Sequence, residues 1–494
     1  MMDFIVKLII ILLLIFTPIA FGSMEIWAFS LMELGIFLII ILGTLQWAFR
    51  GPSGVDNLDE PILGRKWTFP AIFLGLFLLL VLFQMLPLPA GLLKILSQKT
   101  HALRLGFSSL SFEPSASSSV RSLEPSPLSF PLSFVPFVTQ IEFFKWFALI
   151  VLFLFLLKWK GFGKGKSTLI AVIMFIGILE SLYGMIEFFS GHKHILHVEA
   201  SSLISSVSGT FINRNYFAGY LLMVIPLAIG YIFYRESFNE DISVGWHRRL
   251  SSLDGKTYFL VFGVILMILG LLFSASRMGI LSLLLSFTAV ALLFRNPERG
   301  QKLSKTPIFI LGLALLWGAV IGLDAVISRF FAVSEGFKSR WEIWANTLQI
   351  IKDFPLMGSG LGTFTQVFPA YRSFHIEGLV THAENDFLQL ASETGLVGMG
   401  LLTIAFLFLF YKAFSGIRKL SPEDSRRYIG IGGLVGILAL IFHSMVERNI
   451  QVPANAFLFT LILALVLKIS TKKTDSIHHK PNEPNELKQP NKPK

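Results

Sequence analysis

Residues 381–410 read THAENDFLQLASETGLVGMGLLTIAFLFLF, so a string of polar side chains leads directly into a long apolar run. The string closes a polar interruption, residues 327–395, in a chain that is otherwise almost continuously apolar. Polar and ionisable groups at the edge of a bilayer are costly to desolvate, so a cluster of them between membrane spans indicates a functional site. We therefore expect the site of this protein within residues 327–395.

The composition is that of a membrane protein. Of 494 residues, 53% are hydrophobic and 15% are charged, and the mean hydropathy is +0.68, whereas soluble domains are about 25% charged. The predicted fold class is therefore an all-α polytopic membrane protein. Apolar runs long enough to cross a hydrocarbon layer of about 30 Å predict about twelve spans, near residues 4–22, 26–49, 68–88, 141–158, 168–189, 215–234, 257–273, 278–294, 307–326, 396–414, 428–445 and 454–470.

The loops orient these spans, because Lys and Arg are retained on the cytoplasmic side of a membrane. Alternate short loops are basic, and those between them carry few cations, among them Arg277 and Arg448. Both termini are therefore predicted to be cytoplasmic, and residues 327–395 to face outward. The formal net charge of +11 follows from this bias and from a lysine-rich tail, so we expect no nucleic-acid partner. The basic loops lie at Arg50 to Lys66, Lys158 to Lys166, Arg235 to Lys256, Arg295 to Lys305 and Lys412 to Arg427.

The chain divides into three predicted regions. Residues 1–200 are N-terminal spans with an outward loop at 98–138 that is rich in Ser and Pro, for which we expect irregular or partly amphipathic structure and no part in the site. Residues 205–470 contain the polar interruption, and 471–494 have the composition of a disordered cytoplasmic tail. The first apolar run is interpreted as a span, because little positive charge precedes it as it would in a signal peptide.

Two kinds of site are not supported. The chain has no cysteine, which excludes disulfides, thiolate metal ligands and a thiol nucleophile. His192, His194 and His197 are close in sequence, but carboxylates in a metal-ligand spacing do not accompany them, so we predict no metal and no cofactor. The glycines of Gly358–Gly362 resemble a phosphate-binding loop, yet the strand of a dinucleotide fold does not precede them. A flexible turn is the expectation there.

Outward positions in three segments are candidates for binding an anion. Arg214 and Asn215 begin a span, where free backbone N–H groups favour anions, with ordinary helix capping as an equal alternative. Arg277 is the sole charge at a very short junction between two spans, where a snorkelling side chain is the alternative. Arg340 lies in a segment whose periodicity predicts an amphipathic helix at the headgroup boundary.

Four short patterns occur in order along the C-terminal part of the chain. They are Arg277 with Leu281, Arg340-Trp341 ahead of Pro355 to Gly360, Glu384-Asn385 with Gly395 and Gly398, and His443-Ser444 ahead of Pro453 to Ala456. Together they resemble the O-antigen ligase and O-antigen polymerase superfamily of bacterial envelope enzymes, over about residues 205–470. The resemblance implies a GT-C-like, metal-independent glycosyltransferase of the bacterial inner membrane. Its donor would be an undecaprenyl-diphosphate-linked glycan on the periplasmic face, and its acceptor a glycan or glycolipid.

Two residues are candidates for the catalytic base. The family motif usually has His directly before Asn; here Glu384 occupies that position, and His382 lies two residues earlier. A carboxylate with a reference pKa of about 4.3 is a weak base unless burial raises it, whereas a histidine near 6.5 already suits neutral pH. We predict Glu384 from its position and keep His382 beside it. The other alternative is that Glu384 only pairs with an arginine.

The resemblance also implies roles for the cations. Arg presents forked, permanently charged donors to phosphate oxygens, and fixed cations stabilise the charge that develops as the glycosidic bond breaks. We assign binding of the lipid diphosphate to Arg277 and Arg340 first, and then to Arg372, Arg214 and Asn215. Direct displacement by the acceptor hydroxyl would invert the anomeric carbon.

The resemblance leaves the acceptor open. A ligase joins a lipid-linked chain to a terminal acceptor, and a polymerase joins one lipid-linked repeat unit to another. We favour the ligase, because one long loop holds both arginine and base. A transporter is the alternative of another class, but transporters place charges near mid-membrane, whereas these candidates cluster at the outer boundary.

Overall fold

The computed structural model describes residues 2–50, 64–110, 129–159, 161–162, 165–191, 194–196, 198–199, 206–236, 254–294, 333–375 and 378–471. Within them the chain is almost entirely helical, which confirms the predicted fold class. The helices are α1 (Met2–Ile19), α2 (Ile26–Arg50), α3 (Gly64–Met85), α4 (Ala90–Leu96), α5 (Gln98–Leu110), α6 (Pro136–Lys158), α7 (Lys166–Ser190), α8 (Arg214–Glu236), α9 (Gly255–Phe273), α10 (Arg277–Leu293), α11 (Val333–Asp353), α12 (Phe364–Val367), α13 (Asp386–Lys419), α14 (Arg426–Ser444) and α15 (Pro453–Thr471). Two short antiparallel pairs join β1 (Pro87–Pro89) to β2 (Ser129–Pro131) and β3 (His194–Ile195) to β4 (Val198–Glu199).

Most of the predicted spans coincide with these helices. Ten helices of the described ranges are long and apolar enough to cross a membrane, and α10, with 17 residues, is apolar but shorter. The predicted span at 307–326 lies outside the described residues, as does the predicted tail from 472 onward.

The centre of the bundle is built from α8, α14 and α15, which are its most buried spans. Small residues line the face of α14 that meets α8. A methyl group at Gly432 would overlap the carbonyl oxygen of Pro226, so glycine is what allows the two backbones to approach this closely. As a result, the N-terminal end of α8 and the C-terminal end of α14 are held side by side.

A second, smaller core lies at the end of the bundle where α13 begins. Ile350 and Phe354 of α11 pack there with Phe364 and Phe368. Helix α5 and the segment before α6 cover this core, with Leu103 and Phe134 packed against it. Arg104 of α5 joins the two by donating hydrogen bonds to the carbonyl oxygens of Ser133 and Phe134, at 2.8 and 3.1 Å. The described part of the 98–138 loop thus contains the helix α5 and the strand β2 and is packed against this core, whereas we expected irregular or partly amphipathic structure.

The long helix α13 is bent at Gly395, whose φ of 67° lies in the left-handed region that glycine tolerates. The bend leaves a short N-terminal arm that turns the side chain of Glu393 toward the glycine-rich turn. Glu393 accepts hydrogen bonds from the backbone N–H groups of Gly362 at 2.9 Å and Phe364 at 3.2 Å. The amides that resembled a phosphate-binding loop therefore bind a carboxylate of the protein itself, and the turn is held rather than free.

Candidate active site

The site forms where helix ends meet at the side of the bundle that is predicted to face outward. The N-termini of α8, α10 and α13 and the loop 445–452, which connects α14 to α15, come together there. The helix α11 lies beside them and contributes Arg340, which forms an ion pair with Glu447 of that loop. Helix N-termini present free N–H groups and the positive end of the helix dipole, so this junction favours anions.

The polar string that opens α13 ties this helix to the loop 445–452. Asn385 caps α13, because its Oδ1 accepts from the backbone N–H groups of Phe387 and Leu388, both at 3.0 Å. Its Nδ2 donates to the carbonyl oxygen of Met445 at 2.6 Å. Asn385, which follows the predicted base in the family pattern, is thus a cap and a bridge at the same time.

The next residue, Asp386, holds the same loop. Its Oδ2 accepts hydrogen bonds from the backbone N–H groups of Asn449 and Ile450, each at 2.7 Å. Gln389, one turn further along α13, accepts from the backbone N–H of Ala383 at 3.1 Å and donates to Oε1 of Gln451 at 3.1 Å. Together, these side chains fix the 381–385 turn against the loop 445–452.

Glu384 sits at the centre of this turn in a left-handed backbone conformation, with φ 51°. That conformation is costly for a residue with a Cβ and persists where surrounding contacts impose it, commonly at functional sites. The half-buried side chain of Glu384 faces the carboxyl group of Glu447 closely enough for the two to share a proton.

Glu447 is the most enclosed carboxylate of the cluster, with 3% of its side chain exposed. It pairs with Arg340, and the side-chain amide of Asn215 faces it as well. Burial raises the pKa of Glu447 to about 8 against the opposing charge of Arg340, and the neighbouring Glu384 adds to the rise. At neutral pH Glu447 is therefore protonated, and Glu384 beside it is the candidate base.

His382 is engaged differently. Nη1 of Arg448 donates a hydrogen bond to Nε2 of His382, and the hydroxyl of Tyr216 lies beside the same guanidinium. Burial, and then the charge of Arg448, lowers the pKa of His382 to about 2. The ring is thus neutral, and its basic nitrogen is occupied by Arg448. This arrangement favours Glu384 over His382 as the base, and it suits His382 to positioning Arg448.

The other predicted cations fall in two places. Arg277 is the first residue of α10, directly after Ser276, whose Oγ lies 3.4 Å from Nε2 of His443 on α14. Arg214 and Asn215 are the first two residues of α8. These three residues therefore border the junction.

Arg372 lies on a different segment. Its side chain is exposed, and its Nη1 is 3.4 Å from the carbonyl oxygen of Gly378, on the turn that follows α12. The hydrogen bond of Arg372 therefore does not connect it to the loop 445–452, whereas the ion pair of Arg340 with Glu447 does.

Sequence reasoning missed the residues that complete the site. Glu447 was not singled out, Arg448 was noted only as an outward cation, and Tyr216 was taken as part of a span. The available signal was a pair of adjacent charged residues, Glu447 and Arg448, in a short loop predicted to face outward, where charges are disfavoured. Two of the three clustered histidines, His192 and His197, lie outside the described residues, and the described residues contain no group of three His, Asp or Glu side chains arranged to hold a metal ion.

The comparison with known families bears on this geometry. Residues 262–403, which include Arg277, Arg340, His382 and Glu384, match the family model described as O-antigen ligase. The O-antigen ligase and polymerase superfamily is thus supported for this part of the chain. A similar relative is the exopolysaccharide production protein ExoQ of Rhizobium meliloti, 28% identical over 147 residues. That alignment covers 28% of this chain and 32% of the relative, so the chain matches about a third of the length of that relative.

The superfamily match does not extend over the whole site. Asn215 and Tyr216 precede residues 262–403, and Glu447 and Arg448 follow them. The O-antigen ligase region thus supplies the predicted base and two arginines, while the flanking spans supply the buried carboxyl partner and a further cation. An O-antigen ligase or polymerase type of function is consistent with a cationic junction that contains a base.

Proposed function

We propose that the protein transfers a glycan from an undecaprenyl-diphosphate donor to a sugar hydroxyl on the outer face of the cytoplasmic membrane. The observation that carries this proposal is the contact chain from Arg340 through Glu447 to Glu384. It holds a cation for the diphosphate and a carboxylate base within one enclosed cluster. The cluster lies at the outward helix ends, where a membrane-anchored diphosphate resides.

The donor diphosphate binds at the arginines. Arg340 and Arg277 present planar, permanently charged donors that match phosphate oxygens, and the N-terminus of α8 with Arg214 and Asn215 adds further N–H donors. Charge that develops on the departing diphosphate is stabilised by these fixed cations in a site with little water. No metal ion is required for this charge balance in the proposal.

The transfer itself is one displacement. The acceptor hydroxyl oxygen attacks the anomeric carbon of the donor glycan, and its proton passes to Glu384. The bond from the anomeric carbon to the diphosphate oxygen breaks, and its electron pair leaves with the lipid diphosphate. Attack opposite the leaving group inverts the anomeric carbon. Glu447, in its protonated form, supports the charge of Glu384 until the acceptor arrives.

We favour the ligase form of this reaction, since Arg340 and Glu384 act within one outward loop region. A polymerase of lipid-linked repeat units is the second candidate, favoured by similarity to a protein described as acting in exopolysaccharide production. Deletion of the protein in its host tests the choice. Long polymer that accumulates on the lipid carrier supports the ligase, whereas accumulated single repeat units show a polymerase.

A purified-protein assay tests the enzyme class. Transfer from a lipid-linked glycan without nucleotide or ion gradient is the expected result. If transport across vesicles required a gradient and no transfer occurred, the alternative of a transporter would replace the proposal.

The proposed orientation is tested by reporter fusions. Fusions after Arg65, Lys164, Arg248, Lys302 and Arg426 are expected to report cytoplasm, and fusions within 327–395 the outside, because Lys and Arg are retained in the cytoplasm. A cytoplasmic signal from 327–395 contradicts the mechanism, since the donor is used on the outer face.

A further inference from the structure

A cavity of about 220 Å³ lies within the spans, between α6, α13 and α15. Its walls are mostly aliphatic and aromatic, and include Phe153, Leu409 and Leu463. Leu402, Thr403 and Phe459, also in its walls, are only half-buried, so the cavity reaches the surface that faces lipid. A membrane lipid can therefore enter it from the side.

An empty space of this kind is unfavourable in a close-packed bundle, because the side chains around it lose contacts. Water is a poor occupant, since a buried water needs several polar partners and most of the wall offers none. An apolar chain restores the lost contacts. The chemistry of the wall thus selects a hydrocarbon.

The outward end of the cavity is different from the rest. Asp386 and Gln451 lie in its wall there and are also the side chains that hold the 381–385 turn and the loop 445–452 together. Lys145 of α6 is in the wall as well, ion-paired with Glu142 at 2.6 Å, and its charge acts on His382. The cavity therefore ends directly beside the candidate active site, and a chain within it would carry its polar head to that point.

The side of the site at which the cavity ends decides which lipid it suits. The spans that mainly line it are α6, α13 and α15, whereas Asn215, Arg277 and Arg340 come from α8, α10 and α11. Asp386 follows Glu384 by two residues, so the cavity adjoins the end of the cluster that holds Glu384, and it is lined by spans other than those that carry Arg277 and Arg340. The acceptor hydroxyl has to approach from the side of the base. Asp386 at the mouth can accept hydrogen bonds from sugar hydroxyls, and the charge of Lys145 in the same wall is already balanced by its ion pair with Glu142.

We propose that this cavity binds the apolar chain of a lipid-anchored acceptor glycan, while the donor lipid is bound on the arginine side. The inference rests on the proposed function and deepens it by naming the acceptor class. The two lipids would then approach the carboxyl pair from opposite sides of the loop 445–452.

The test fills the cavity and varies donor and acceptor separately. Ala405 is buried in the cavity wall, and Ala405→Phe places a ring in the space. Thr403→Phe, at the half-buried edge, is a second variant if the first fails to fold. The control is Leu407→Phe on the same helix, where the side chain is 59% exposed toward lipid. Purified full-length protein in nanodiscs receives labelled lipid-linked glycan from the host as donor. The acceptor is a host envelope glycolipid that carries no polyprenyl diphosphate, supplied either intact or as the glycan released from its lipid by mild acid.

The cavity variants are expected to raise KM for the lipid-linked acceptor by at least about tenfold, since excluding a few methylene groups from an apolar site has that effect. In these variants the KM for the released acceptor is expected to stay unchanged, as is the donor KM measured with the released acceptor. In the control Leu407→Phe, the KM values for the donor and for both acceptors are expected to match those of the wild type. A raised donor KM assigns the cavity to the donor and overturns the inference, as does no change in any KM. If the wild-type protein transfers nothing to either acceptor, the proposed function itself fails.

Discussion

The guanidinium of Arg340 on α11 is ion-paired with the carboxyl group of Glu447 in the loop 445–452. The side chain of Arg340 remains 30% exposed, whereas that of Glu447 is 3% exposed. The arginine therefore contacts a buried carboxyl group on one side and still presents donors to the solvent side. In this way a helix that lies outside the spans becomes part of a site whose other members are at span ends.

Replacement of this arginine has two separable effects. Arg340→Ala is expected to reduce transfer to background, because the diphosphate loses its forked donor, and Arg340→Lys to restore little. Loss of the partner of Glu447 is also expected to lower the free energy of unfolding by roughly 1–3 kcal/mol. Combining Arg340→Ala with Glu447→Gln should recover stability without recovering activity. Arg277→Ala is expected to abolish transfer likewise, with membrane insertion intact.

Arg372→Ala provides the matched comparison, since this exposed arginine donates a hydrogen bond to the carbonyl oxygen of Gly378 at 3.4 Å and not to a carboxyl group of the cluster. It is expected to retain far more activity than Arg340→Ala. Near-normal turnover of both Arg277→Ala and Arg340→Ala, measured with lipid-linked donor, would show that these arginines are interfacial anchors and not diphosphate ligands.

The base is tested by a second set of variants. Glu384→Gln is expected to lower the rate by roughly 10²–10⁴-fold, as loss of a general base does. His382→Ala is expected to lower it less, because the ring nitrogen is bound to Arg448 and its pKa is lowered by burial. Glu384→His is expected to keep some function, since the family motif usually has His at this position. A dead His382→Ala beside an active Glu384→Gln would reverse the assignment.

The sequence predicted the large features of the molecule well. Apolar runs predict spans from local composition alone, so the helices and the fold class were accessible, and the family resemblance came from short patterns such as Arg277 with Leu281. The match at residues 262–403 confirms that resemblance. The loop at Gly358–Gly362 was expected to be flexible. Its hydrogen bond to Glu393 could not be foreseen, because it depends on a bend of α13 at Gly395 that no local sequence pattern encodes.

The pairing within the site was not accessible in the same way. Asn385, Asp386 and Gln389 looked like parts of a catalytic string, but each bonds a segment whose position is set by how α13 and α14 pack. Glu447 becomes the partner of Glu384 only through that packing. The only local sign of a site there was the charge of Glu447 and Arg448 in a short loop, and charge alone does not show which residue Glu447 contacts.

The carboxyl pair predicts a particular dependence on pH. The pKa of Glu447 in the folded protein is raised by burial to about 8 from an ordinary value of 4.5. Because the folded state binds the proton more tightly, the stability from this group is full below pH 4.5 and is lost as the pH rises toward 8. Above pH 8 two adjacent carboxylates repel, so transfer should fall as well. Glu447→Gln is expected to remove this alkaline decline in melting temperature and to flatten the same limb of the rate profile. An unchanged alkaline limb in Glu447→Gln would assign the titration to another group.

The two functions of Asn385 are separable by substitution. Asn385→Ala removes the cap of α13 and the bond to Met445, for an expected loss of roughly 1–3 kcal/mol in the free energy of unfolding. Asn385→Asp keeps an oxygen that caps the helix but replaces the amide donor, which lies 2.6 Å from the carbonyl oxygen of Met445, with a second acceptor. It is therefore expected to lose less stability than the alanine variant and yet to lose comparable activity, because the 381–385 turn is no longer tied to the loop that carries Glu447. Thermal unfolding in detergent and transfer by the same preparations measure the two effects together. If Asn385→Asp matched the wild type in both, capping would be the whole role of Asn385, and the position of Glu384 would not depend on the bond to Met445.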